Sequence, residues 1–97
     1  TKSIIMDSKI EIIYKNADTN VANGRERALN QCKKIFWNEA PEDWEKFDGE
    51  FTVKYKQSIG VHDCAIIVFH SPDPKWKEII TRELRLDKSV YSINEIA

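Results

Sequence analysis

A chain of 97 residues with 15 basic and 16 acidic side chains, and a formal charge of −1, has room for one hydrophobic core and no electrostatic signature of a general nucleic-acid binder. Hydrophobic residues make up 41% and charged residues 32%, the balance of an ordinary globular domain, and no apolar run approaches the length of a membrane-crossing helix. Two cysteines, Cys32 and Cys64, each set in an apolar pattern, read as buried free thiols rather than a secreted disulfide framework.

The start of the chain lacks a secretory pattern, because Ile4-Ile5-Met6 is followed at once by Asp7, Lys9 and Glu11. A cytoplasmic location is therefore expected. Met6 is a candidate natural start, and residues 1–8 are expected to be disordered or to lie outside the natural chain. The whole of 1–97 is otherwise expected to form a single α+β domain.

Lys9 to Lys15 reads as a first strand, with Ile10, Ile12 and Tyr14 on one face and Lys9, Glu11, Ile13 and Lys15 on the other. Asn16 to Asn20 is a loop in which Asp18, Thr19 or Asn20 is expected to cap a helix. That helix runs to about Trp37, carrying Ala28, Leu29, Cys32, Ile35 and Phe36 at helical spacing. Gly24 weakens its first turn, so its secure part begins near Arg25.

Glu39 to Glu50 holds six acids, one base (Lys46) and the aromatics Trp44 and Phe47, with Pro41 suited to the first position of a short helix. Two readings stand side by side. In one, both aromatics tuck onto the core. In the other, Glu42, Asp43, Trp44, Glu45 and Phe47 form an acidic and aromatic docking surface, since aromatics are common interface anchors.

Phe51, Val53 and Tyr55 alternate with Thr52, Lys54 and Lys56, a strand with one wet face. A turn around Gly60 leads into Cys64-Ala65-Ile66-Ile67-Val68-Phe69, the one unbroken apolar run, read as a strand covered on both faces. Ser71-Pro72-Asp73-Pro74 breaks the chain and starts a helix, with Asp73 as cap, ending near Leu84 or Arg85. Lys88 to Ile96 closes the chain as an edge strand. The order strand, helix, strand, strand, helix, strand predicts a ferredoxin-like β-α-β-β-α-β sandwich: a four-stranded antiparallel sheet with two helices on one face, and the first and third strands central.

Two families of similar element order fail on their motifs. The third strand lacks the glycine and most of the aromatics of the RNA-recognition signature, and Asn16 to Arg25 lacks the phosphate loop of acylphosphatases. The run Leu84-Arg85-Leu86-Asp87, with Val90, resembles the close of the bacterial small-subunit ribosomal protein S-six family. That resemblance implies binding to ribosomal RNA and to a neighbouring ribosomal protein. The segment Phe51 to Ile59 departs from that family's Arg-Arg-x-Leu-Ala-Tyr-Pro-Ile strand.

His62 and Cys64 share a strand face, but a buried thiol beside a strand-end histidine is the more ordinary arrangement. His62 and His70 lie too far apart along one strand to share a metal, and the acids of Glu39 to Glu50 lack calcium-loop spacing. No catalytic residue, metal ligand or cofactor is expected. The expected activity is that of a non-enzymatic module binding a protein partner, of inhibitor, immunity or regulatory type. The alternatives are RNA binding through Lys9, Lys15, Lys54 and Lys56 on the open sheet face, and a self-associating scaffold or homodimer. A membrane partner is not expected.

Overall fold

A computed structural model of the chain describes residues 8–96. Expectations for residues 1–7 lie outside that range, whereas Ser8, expected to precede the fold, already opens the first strand. The elements are β1 (Ser8–Tyr14), α1 (Gly24–Glu39), a 3-10 helix (Pro41–Lys46), α2 (Phe47–Glu50), β2 (Phe51–Ile59), β3 (His62–Phe69), α3 (Lys75–Arg85) and β4 (Val90–Ile96). The four strands form one antiparallel sheet in the order β2-β3-β1-β4. The apolar run thus lies inside the sheet, and β2 and β4 are its edges.

Register explains which side of the sheet is core. Ile12 faces Ala65 on one side and Ile93 on the other, and Ile67 lies between Ile10 and Val53. With Tyr14, Phe51 and Phe69 these residues meet Ala28, Cys32 and Phe36 of α1 and Ile80 and Leu84 of α3 in a single core. Alternation sends Lys9, Glu11, Ile13, Lys54, Lys56, Cys64, Ile66 and Val68 to the opposite face, which no helix among the described residues covers. Tyr55 shares the parity of Phe51 and Val53 but stands exposed at the sheet edge.

The start of α1 differs from the sequence expectation for a packing reason. The cap is Asn23, whose side chain accepts from the Glu26 N–H at 3.0 Å, while Glu26 reaches back to the Ala22 N–H at 3.0 Å. Gly24 opens the helix because a Cβ there would stand 2.2 Å from the Cys64 carbonyl oxygen. Here glycine permits helix and strand to touch, a gain that its poor propensity conceals. Asp18 instead accepts from the Asn20 N–H within the loop. Before α3, the Asp73 carboxylate accepts from the Lys75 N–H at 2.9 Å, one residue beyond the expected Pro74 start.

Candidate functional site

The acidic stretch divides in two. Phe47 is only 5% exposed and joins a ring cluster, with its centroid 5.6 Å from Phe36 and 5.0 Å from Phe51. Phe36 in turn lies 4.6 Å from Trp76. Phe47 is therefore a core residue, and its predicted role at the surface is limited to flooring a groove. Trp44, three residues earlier on the 3-10 helix, is 60% exposed, and Trp37 of α1 is 49% exposed. The two tryptophans, Lys33, Glu45, Asp48 and Phe47 line one shallow groove of about 390 Å³. Trp37 was not singled out in the sequence, where it ends an apolar helical stripe; its exposure follows from its place beside the fully covered Phe36.

The acids around the groove are mostly solvated. Glu42 and Glu45 are exposed, and Asp43 pairs with Lys46 at 3.2 Å across one turn. Such an exposed pair contributes little stability. Glu39 lies on the other side, 3.9 Å from Arg82 of α3. The groove thus has two tryptophan walls, the Phe47 ring at its base, and a charged lining of Glu45 and Asp48 with Lys33.

The open sheet face is the second candidate. Lys15 and Lys54 are exposed and Lys9 is half-buried, around the apolar Ile13, Ile66 and Val68. Lys56 is less free than its neighbours: its ammonium pairs with the Glu11 carboxylate, and that hydrogen bond holds the lysine pKa above its ordinary value. Part of the expected basic patch is therefore neutralised within the chain.

No family model, curated protein or solved structure matches this chain. The functional reading therefore rests on its own residues.

A third cluster, at the end of the sheet where β1 stops, was not read from the sequence. Arg27 of α1 pairs with Asp63 at 3.2 Å, donates to the Asn16 carbonyl at 2.7 Å and lies 3.9 Å over the Tyr14 ring. The Tyr14 hydroxyl donates to Gln31, and the Gln31 amide donates to Asp87. Burial foremost, with the neighbouring Cys32, keeps the Tyr14 phenol above its ordinary pKa. At Asp87 burial pushes the carboxyl up, but hydrogen bonds from Ser89 and Gln31 and the Arg27 charge outweigh it, so its pKa lies below the ordinary value. Tyr14 is fully buried and the cluster's bonds are satisfied inside the chain, which makes it a tie between elements.

His62 and Cys64 do not contact each other as base and nucleophile. A His62 ring nitrogen, Nδ1, bonds the Tyr14 carbonyl oxygen at 2.9 Å, the ring stacks on Tyr91 at 5.6 Å, and the Cys64 thiol points at the His62 carbonyl oxygen, 3.6 Å away. Both cysteines are buried and free. Among the described residues no three histidine, cysteine or acidic side chains gather as metal ligands, and no helix is long and apolar enough to cross a membrane.

Proposed function

We propose that this chain is a non-enzymatic interaction module of the cytoplasm that docks a basic segment of a partner protein on the Trp37–Trp44 groove. The observation that carries the reading is the pairing of two half-exposed tryptophans over one groove whose lining holds two carboxylates, Glu45 and Asp48, against one base, Lys33. A lysine or arginine flanked by an apolar residue fits those walls: the rings take the aliphatic stem and the carboxylates take the charge. An inhibitor, immunity protein or regulatory subunit would use such a surface. The same reading takes the architecture as ferredoxin-like, supported by central β1 and β3 and by the common core shared with both long helices.

Pull-down from native lysate, with and without nuclease, is the direct test. A protein partner survives nuclease, and Trp44→Ala weakens its binding by about 2 kcal/mol or more, as loss of an interface anchor does. Reversing Glu42, Asp43 and Glu45 to lysine also weakens binding while thermal unfolding stays cooperative. Capture of the same partner at unchanged affinity by both variants would reject the surface.

The second reading is RNA binding on the open face. It is supported by Lys9, Lys15 and Lys54 around an apolar centre and by the resemblance of residues 84–90 to the ribosomal S-six family. Lys15→Glu with Lys54→Glu would then lower affinity and flatten its salt dependence, because fewer counterions are released. A nuclease-sensitive capture insensitive to Trp44→Ala would favour this reading.

A further inference from the structure

We propose that the outer edge of β4 is a dimer interface, pairing antiparallel with β4 of a second copy so that two four-stranded sheets become one. The two sheet edges differ in how they resist such pairing. Self-pairing of β2 about Tyr55 would set Lys54 against Lys56 of the other copy, and like charges directly opposite destabilise a ladder. The sequence of β4, Val-Tyr-Ser-Ile-Asn-Glu-Ile, has no lysine or proline, and its one charge, Glu95, is already paired with Lys77. A twofold axis at Ile93 would set Ser92 against Asn94, Val90 against Ile96 and Tyr91 against Glu95, with no like-charge contact.

The helix above the edge carries a second, independent complementarity. Glu78, Thr81, Arg82 and Arg85 of α3 and Ile93 of β4 line a groove of about 490 Å³. Lys77 pairs with Glu95 and the chain turns back from Arg85 to Val90, so α3 and β4 run oppositely; Ile93, about 6.6 Å back along the strand, lies level with a helix position about four residues on, near Thr81, and an axis through Ile93 crosses α3 there. It would bring Glu78 of one copy opposite Arg85 of the other, twice over. With strands about 4.8 Å apart, pairing of the two β4 edges would set the two copies of α3 side by side across the axis. The small Thr81 at the crossing permits that approach, and the isologous contact closes as a dimer and does not propagate.

Sedimentation equilibrium of the chain across micromolar to millimolar concentration reads the proposal. The expected species has the mass of two 11.3-kDa chains. Glu78→Arg or Arg85→Glu alone should raise the dimer dissociation constant at least about tenfold, and the two together should restore it to within about threefold. Gln57→Lys on β2, which adds a further like charge to that edge, should leave it unchanged. Amide exchange of the unaltered chain supplies the check that needs no variant: alternate β4 amides gain protection as concentration rises, and those on the outer edge of β2 do not. A chain that stays monomeric, a dimer indifferent to the single reversals or not rescued by the double exchange, or protection that appears on β2 instead, would overturn it.

Discussion

Single residues decide how closely the elements approach. Gly24 touches the β3 backbone at Cys64, so Gly24→Ala must push α1 off the sheet. The expected cost is about 1–3 kcal/mol, read as a lower urea midpoint, although alanine is the better helix former. Asp87 makes a different kind of contact, joining the turn before β4 to α1 through Ser89 and Gln31. Its folded pKa is depressed, so its contribution is full above the unfolded carboxylate value of about 3.9 and fades as pH falls through the folded one. The stability gap between the parent and Asp87→Asn should accordingly be constant from neutral pH to about pH 5 and close below about pH 4, in denaturant titrations at each pH.

At the scale of elements, the 3-10 helix and α2 are held by one anchor. Phe47 sits against Phe36 and Phe51, and the acidic residues beside it are left to solvent. Phe47→Ala should cost about 3–5 kcal/mol in denaturant unfolding, the range for a buried aromatic, and should release Trp44 from its fixed position. A red-shifted tryptophan emission before global unfolding would report that release. The N-terminus of α1 is a smaller case. Asn23→Ala removes the acceptor for the Glu26 N–H and should cost about 1 kcal/mol.

Among the described residues, one face of the sheet builds the core under the helices while no helix covers the other, and the two thiols report on the difference. Cys32 lies in the core and burial pushes its pKa up to about 12, whereas Cys64 is equally buried but outside that core. Neither should react with an aromatic disulfide reagent faster than the chain opens. Raising denaturant should accelerate labelling of Cys32 in step with global unfolding, and faster labelling of Cys64 would mark local opening of the β3 end first.

The order of the strands and long helices, and which strand lies inside the sheet, were legible in the residues alone. Period-two alternation in β1 and β2 and the unbroken run in β3 are local consequences of side-chain burial, so they could be read before any contact was known. The split fate of Trp44 and Phe47 could not, because two aromatics three residues apart look alike until Phe36 and Phe51 provide a place for one. The same holds for Gly24, whose propensity signalled only a weak first turn, and for the Tyr14–Gln31–Asp87 tie, whose successive bonds span 17 and 56 residues. Contacts between residues distant in sequence depend on how closely the layers approach, and only the folded chain sets that distance.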